Sequence, residues 1–373
     1  MERKSVLYFM GAWSVGGVER VTAVVGNELV RRGWKVSIFA FHMENPMLLD
    51  VLDKRIRFVA PEAGVMTGAS LAALRSVLEQ ENVGFIINDW SLPFKTSLFL
   101  RKAAKGLGIK QIVNLHNTPD NNARIASARN LPMRLAAKAV SALNMFLTYL
   151  FADLYVLLSP SFIRIFKRFA CVPFARKVIA IGNPLTLTLP AESSATAKED
   201  ILLFAGRLEE RQKRFSRVAA IWRRIAARHP GWRLEVVGDG PDRAQYEKTL
   251  VGAERVGFEG FMPPEDFYRR AKILVMTSDF EGFPLVLTEA MAFGCVPVVL
   301  GSFAAAQDII DGSCGTIVPL PYSEDRFAAE IERLMNDADA LQTASEAARA
   351  AARRFSVETI ADEWEQALHA YCR

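Results

Sequence analysis

Two glutamates and two cations carry most of the chemistry in this sequence. Glu281 and Glu289 stand eight residues apart, and Arg207 and Lys213 stand six apart upstream of them. Arginine offers a planar fork that grips two phosphate oxygens, whereas lysine offers a point charge. Phosphate repels carboxylates, so the glutamates are better used on hydroxyls, whose hydrogen bonds their oxygens accept. Groups for phosphate next to groups for a polyol point to a nucleotide sugar.

These side chains need a scaffold. Residues 273–276 are an apolar run that reads as a buried strand, and residues 279–282 read as a turn. Pro284 suits the start of a helix, where its missing N–H is an orphan anyway. That helix is expected to run through Ala292 and stop at Gly294, with Glu281 in the turn and Glu289 inside the helix. A helix N-terminus carries roughly half a positive charge and several unpaired N–H groups. The backbone around Phe283, Leu285 and Val286 is therefore a candidate phosphate site.

The Glu281-x7-Glu289 spacing, with Gly282-Phe283-Pro284 between, resembles the signature of the large retaining glycosyltransferase family with the GT-B fold, family 4 type. Gly206-Arg207-Leu208 with Lys213 is similar to that family's basic pair. Gly238-Asp239-Gly240-Pro241 is similar to its glycine turn, and Gly260-Phe261 to its base-binding loop. In the N-terminal half the resemblance lies chiefly at Gly16-Gly17 and His116.

The resemblance implies an α/β fold of two Rossmann-like parallel-sheet domains facing across a deep cleft. It puts Glu281 on the donor hexose hydroxyls, Glu289 on the ribose hydroxyls and Phe261 over the base. Gly16, Gly17 and Gly238 would let backbone approach the nucleotide closely. The family retains anomeric configuration. No protein nucleophile stands out, so the leaving phosphate is expected to accept the acceptor's proton in a same-face attack. His116 would touch the transferred sugar or its oxocarbenium-like state.

Plainer readings exist for each residue taken singly. Glu281 alone would be a solvated turn residue, a lone histidine is more often structural, and Arg211 and Arg214 would be solvated residues at a helix start. Many sugar transferases hold a divalent metal through Asp-x-Asp. Here no such motif, no metal and no other cofactor are expected. Asp239 and Asp242 are three apart across Gly240-Pro241, which is turn chemistry. Preorganised cations would then supply the charge opposite the leaving diphosphate.

Along the chain, residues 6–9 and 36–41 read as strands flanking a helix with Val18, Val21, Val25 and Leu29 at helical spacing and Gly33 as its stop. Residues 11–17 between the first strand and this helix read as a glycine-bearing turn. Further strands are read at 85–87, 112–115, 154–158 and 178–181, and a second series at 201–204, 234–237, 256–258, 273–276, 296–299 and 316–318. Helices close the chain from Ser323 onward. In open parallel sheets, ligands bind beyond the carboxyl ends of the strands. That places Gly16, Gly17, Asp89 and His116 on one rim. The expected domains are residues 1–185, a linker at 186–200, residues 201–355, and a final helix at 356–373 that packs back on the first domain.

The 373 residues allow two to three domains. No apolar run approaches the roughly 18 residues of a spanning helix. The start reads as a first strand, not a signal peptide. Four scattered cysteines without a C-x-x-C pair fit a reducing cytoplasm. Residues 1–185 carry 24 Lys+Arg against 12 Asp+Glu, a balance of +12, while residues 186–373 carry 22 against 29, a balance of −7. The basic half should face an anionic partner, such as a membrane or a lipid pyrophosphate. Nucleic acid ranks last, since no nucleic-acid motif is present.

Residues 117–150 are the expected docking segment. Arg124 and Arg129 lie in its polar first part, and residues 131–150 read as an amphipathic helix. At 100° per residue, Arg134, Lys138, Ser141 and Thr148 share one stripe, with Leu135, Leu143, Phe146, Leu147 and Leu150 opposite. The plainer reading buries that apolar face in the core.

The expected function is a metal-independent retaining transfer of a hexose or N-acetylhexosamine, UDP-linked, to a glycan or lipid-linked acceptor in bacterial surface polysaccharide synthesis. The expected location is the cytoplasm, peripheral on the inner face of the plasma membrane. The alternatives are a nucleotide-sugar epimerase of the same fold, a GDP-mannose-dependent mannosyltransferase, and a nucleotide-binding protein without catalysis. An NAD-dependent oxidoreductase is disfavoured, because the glycines do not fall as G-x-G-x-x-G and no acidic residue ends the second strand.

Overall fold

The computed structural model describes residues 3–91, 93–120, 131–188 and 197–370. The chain divides into two compact units, one of Met1–Thr186 with Ser356–Arg373 and one of Leu187–Phe355. The first runs β1 (Ser5–Trp13), α1 (Gly17–Arg31), β2 (Lys35–Met43), β3 (Arg57–Val59), α2 (Gly68–Gln80), β4 (Phe85–Asn88), α3 (Phe94–Ala103), β5 (Lys110–Leu115), α4 (Leu131–Phe151), β6 (Leu154–Leu157), α5 (Pro160–Phe169) and β7 (Val178–Ala180). Its parallel sheet has the order β3-β2-β1-β4-β5-β6-β7. β4 and β6 are buried along their whole length, as expected of parallel strands covered by helices on both faces. Phe9, Phe39, Phe41 and Phe99 pack together on one face.

The second unit runs β8 (Glu199–Ala205), α6 (Phe215–Ile225), β9 (Arg233–Val237), α7 (Arg243–Thr249), β10 (Val256–Gly260), α8 (Glu265–Arg270), β11 (Ala271–Met276), α9 (Leu285–Ala292), β12 (Val296–Leu300), α10 (Ala306–Ile309), β13 (Thr316–Val318), α11 (Glu324–Asn336) and α12 (Ala338–Ala352). The sheet order is β10-β9-β8-β11-β12-β13, all parallel. Its core gathers Phe204, Phe215, Trp222 and Tyr246 with the Val and Leu side chains of the strands. In each sheet the order reverses once, between β1 and β4 and between β8 and β11, and ligands of such sheets bind at that switch point.

Three details differ from the sequence reading. β1 does not end before Gly11 but continues to Trp13, because Gly11 leaves room for the Trp90 indole, which would lie 2.9 Å from an added Cβ. β3 is short, with Arg57 exposed, and gave no apolar run to read. The face of α4 is also turned around. Met145 and Thr148 are buried, so the stripe that includes Arg134, Lys138 and Ser141 points inward at its C-terminal end, and Val140, Leu143 and Leu150 on the opposite side are exposed. Arg124 and Arg129 lie outside the described residues.

The closing helix, α13 (Val357–Ala370), belongs to the first unit and packs on α1. Arg32, just past α1, donates to Glu28 at 2.7 Å, Asp362 at 2.5 Å, Glu365 at 2.8 Å and the Glu358 carbonyl at 2.9 Å. Trp34 Nε1 donates to Glu365 at 2.7 Å. Hydrogen bonds from Arg31 hold the Glu28 carboxyl below its ordinary pKa against the pull of burial. At Glu365 burial pushes upward, and the bonds from Arg32 and Trp34 outweigh it. Groups with depressed folded-state pKa values contribute stability above the unfolded value of about 4.3 and lose it as pH falls through the folded one. Thermal melts should therefore show this seam intact at neutral pH and weakening below about pH 4.3. Arg32→Ala should lower stability by about 1–3 kcal/mol, the range for stranding a charged hydrogen-bonding partner, and flatten the acid branch. A variant with an unchanged melt at pH 7 and an unchanged acid branch would refute that role.

Candidate active site

In the second unit, the loops after β8 and β11 meet at the switch point. Lys213 Nζ contacts Glu281 Oε1 at 2.7 Å, with the two side chains 18% and 7% exposed. Gln212 Nε2 donates to Glu281 Oε2 at 3.3 Å and to the Phe280 carbonyl at 3.2 Å. The Asp279 amide donates to the Gln212 carbonyl at 2.8 Å. Arg214, left-handed at φ 52° before α6, donates to Asp279 at 2.6 Å, and Arg217 reaches the same carboxylate at 2.7 Å. The two loops are thus sewn together by backbone and by ion pairs. Arg214 is a structural tie here, not the solvated residue of the plainer reading.

Arg207 differs from Lys213. Its side chain is 68% exposed, and Glu209 lies 3.6 Å from it. A cation that is half free beside one that is committed leaves an open positive charge at the rim. α9 begins after Pro284 and stops at Gly294, whose φ of +80° suits the residue past a helix end. Leu285 and Val286 form its half-buried first turn. The Phe283 ring is buried, packing edge-on against Phe355 at 5.3 Å. Glu289 is buried inside α9, with the Tyr268 hydroxyl 3.4 Å from its Oε2.

Two glycines clasp the loops after β8 and β9. An added Cβ on Gly238, at φ +134°, would meet the Gly206 carbonyl oxygen at 2.0 Å, and one on Gly240 would meet the Leu208 carbonyl oxygen at 2.3 Å. Backbone bonds finish the clasp: Gly206 N to Val237 O at 2.9 Å, Leu208 N to Asp239 O at 2.9 Å, and Gly238 N to Gly260 O at 2.7 Å. Gly238→Ala is therefore expected to displace the Arg207 loop, lowering stability by more than the 1–3 kcal/mol of ordinary overpacking and removing nucleotide binding. Gly68→Ala, where an added Cβ meets nothing within 4 Å, is the control. Equal melts and equal ligand shifts for the two variants would rule the clasp out. Past Gly260, Phe261 is 77% exposed, an aromatic ring presented at the same end of the sheet.

In the first unit, His116 follows β5 and its Nε2 lies 2.8 Å from Asp89 Oδ1. Asp89 follows β4, is 1% exposed at its side chain, and also accepts from Asn114 at 2.9 Å and Thr22 at 3.1 Å. The imidazole is thus fixed by a buried carboxylate that Asn114 and Thr22 hold in turn. Gly16 caps α1 for a reason the sequence did not show. An added Cβ would sit 2.4 Å from Glu19 Oε2. Glu19 folds over the turn and accepts from the Ser14 hydroxyl at 2.7 Å. Gly16 therefore makes room for a carboxylate of its own chain. Gly17 is the first residue of α1.

Arg207, Lys213, Gly238, Phe261, Phe283, Leu285, Val286, Glu281 and Glu289 thus belong to the second unit, and Gly16, Gly17 and His116 to the first. Gln212, Asp279 and Asn114 escaped the sequence reading, since each acts through a partner far along the chain. Asp89 was placed on the rim, and its carboxylate at a strand end was the signal. The expectation that the chain lacks Asp-x-Asp needs correction, because Asp337-Ala338-Asp339 is one. Asp337 caps α12, accepting from the Ala340 amide, and Asp339 sits in the first turn, so this pair is helix-start chemistry.

Known proteins resemble this chain in sequence and fold. Residues 15–187 match the family model Glycosyltransferase Family 4, and residues 188–351 match Glycosyl transferases group 1. An uncharacterized glycosyltransferase of Haemophilus influenzae is 23% identical over 98% of this chain and 100% of its own. The Campylobacter jejuni enzyme named GalNAc-α-(1→4)-GalNAc-α-(1→3)-diNAcBac-PP-undecaprenol α-1,4-N-acetyl-D-galactosaminyltransferase is 24% identical over 96% of each chain. The crystal structure of Anabaena HepE in complex with UDP and glucose superposes with a TM-score of 0.75 at 17% identity, covering 98% of this chain and 99% of that one.

Proposed function

Because this chain belongs to the GT-B glycosyltransferases of the family 4 type, we propose that it moves a hexose or N-acetylhexosamine from a UDP-sugar to a glycan or lipid-linked acceptor. We assign it to bacterial surface polysaccharide synthesis, with retained anomeric configuration and no divalent metal. The Lys213–Glu281 contact at the β8/β11 switch point carries the reading. An ammonium has three donors, so one bond to Glu281 leaves two for the leaving diphosphate. Arg207 adds an exposed guanidinium, and the first-turn amides of α9 add a helix N-terminus. Charge placed in advance opposite a developing anion is usually the largest catalytic contribution. Glu281 keeps acceptor capacity for sugar hydroxyls because its own charge is already matched. Glu289 is assigned to the ribose, Phe261 to the base, and His116, in the first unit, to the transferred sugar.

UDP is supported by the contents of the HepE crystal, and a lipid-linked acceptor by the name of the Campylobacter relative. The +12 balance of residues 1–185 supports an anionic acceptor side or membrane. Among the described residues no helix is long and apolar enough to cross a membrane. We place the protein in the cytoplasm, peripheral on the inner membrane face.

A thermal-shift panel of UDP- and GDP-sugars tests the donor, since a ligand at 100 times its Kd stabilises by about 2.7 kcal/mol. A shift with UDP-hexoses alone supports the reading. A shift with GDP-mannose alone makes the protein a mannosyltransferase. Release of free UDP without any acceptor favours the epimerase. No shift with any nucleotide sugar sinks the proposal.

A further inference from the structure

The outward faces of α4 and α5 carry apolar side chains and cations that no other part of the described chain covers. The two helices are successive crossovers along the order β5-β6-β7, and because parallel crossovers are right-handed as a rule, they lie on the same face of the first sheet. Met145 and Thr148 anchor α4 inward. Opposite them, Val140 is 67% and Leu143 57% exposed, with Leu150 half exposed. Large apolar side chains left in water on one helix face mark an interaction surface. The Tyr149 ring of α4 meets Phe166 of α5 at 5.8 Å, which joins the two helices. Phe162, Phe166 and Phe169 are buried, and α5 turns Arg164, Lys167 and Arg168 outward, around an open groove of about 630 Å³ that Pro160, Ile163 and Pro173 complete. Phe174, next in the loop, is 78% exposed.

The charge around this patch has one sign. Between Asp120 and Glu192 the sequence holds a single acidic residue, Asp153. Among the described residues Arg164, Lys167 and Arg168 meet no carboxylate. Exposed apolar residues flanked by Lys and Arg are the pattern of a segment lying in a bilayer interface. A second copy of the chain fits poorly, because a two-fold contact would set these cations against themselves without an acid to match.

We propose that this α4–α5 surface docks on an anionic phospholipid bilayer, with Val140, Leu143, Leu150 and Phe174 entering the interface and Arg164, Lys167 and Arg168 on the head groups. It deepens the membrane partner of the proposed function, and its basis in exposure and charge is independent of the donor chemistry. It also replaces the Arg134–Thr148 stripe as the docking element.

The test is co-sedimentation of the full chain with phosphatidylglycerol–phosphatidylcholine vesicles and with pure phosphatidylcholine. Binding to the anionic vesicles alone, weakening with salt, is the expected result. A cation beside such a surface contributes roughly fivefold in affinity, so R164E/K167E/R168E should bind at least roughly hundredfold more weakly. V140S/L143S should lose roughly tenfold. Both variants should keep the parent melting temperature and the parent UDP shift. The proposal is overturned if the unmodified protein ignores anionic vesicles at low salt, or if the triple reversal binds equally well. It also falls if the serine pair changes nothing, which marks plain polyanion attraction, or if that pair merely dissolves a dimer in sedimentation while vesicle binding stays. Vesicle binding without any nucleotide shift would leave the surface standing and remove the donor assignment.

Discussion

Arg207→Ala and Lys213→Ala each lower turnover by roughly 10²–10³, the loss seen when one preorganised donor is removed from a developing anion. The two variants are not equivalent, and the difference makes the result decisive. Arg207 is 68% exposed, with Glu209 3.6 Å from it. Exposed substitutions of this kind shift stability by no more than about 0.5 kcal/mol. Loss of turnover in Arg207→Ala with an unchanged melt can only come from the reaction. Lys213 is mostly buried against Glu281. Its removal strands a carboxylate with only Gln212 at 3.3 Å, so a lower melting temperature should accompany the lost rate. The assay is nucleoside diphosphate release with the donor that the thermal-shift panel selects. The metal-free mechanism is wrong if EDTA stops the reaction and either variant keeps a near-normal rate.

Glu289→Ala weakens binding of bare UDP, whereas Glu281→Ala leaves UDP nearly unchanged and weakens the intact UDP-sugar. Loss of a charged hydrogen-bond acceptor corresponds to about 1.5–3 kcal/mol, or roughly 10–100-fold in Kd. The positions motivate the division. Glu289 lies within α9 beside Tyr268, behind the helix N-terminus, while Glu281 sits in the loop before it and is held by Lys213 and Gln212. Glu281→Ala also releases Lys213, whose freed ammonium compensates any small loss of diphosphate affinity. Calorimetry with UDP and with the UDP-sugar measures both. Equal losses for both ligands in both variants would remove the assigned roles.

The two sheets were legible because central parallel strands are buried on both faces and appear as short apolar runs between turn residues, as at β4, β6 and β12. β3 was not, since an edge strand with Arg57 exposed has no such run. Periodicity located the two stripes of α4 but not which one faces inward. Both contain apolar residues, and Thr148 at 0% exposure shows the inward choice made by packing. At the site, residue types gave the cations and carboxylates, while their pairing came from tertiary structure. No local pattern reveals that Gln212 holds Glu281, or that Gly16 yields its space to Glu19. Gly238 was found as part of a turn. The carbonyl of Gly206, 2.0 Å from where its Cβ would stand, supplies the reason.

The seam around Arg32 bears on the order in which the protein is made. The first unit consists of Met1–Thr186 and Ser356–Arg373, with all of Leu187–Phe355 between them in synthesis. At about 5–20 residues per second, the ribosome needs roughly 10–30 s to cross that stretch. During that interval Trp34 lacks its acceptor on Glu365, and Arg32 has Glu28 but not Asp362 or Glu365. The nascent first unit therefore waits with an open aromatic and cationic strip just past α1, a surface that a holding chaperone could cover. A synthetic peptide of residues 356–373 added to a chain ending at Phe355 would occupy the same strip, so the two pieces should reassemble in trans.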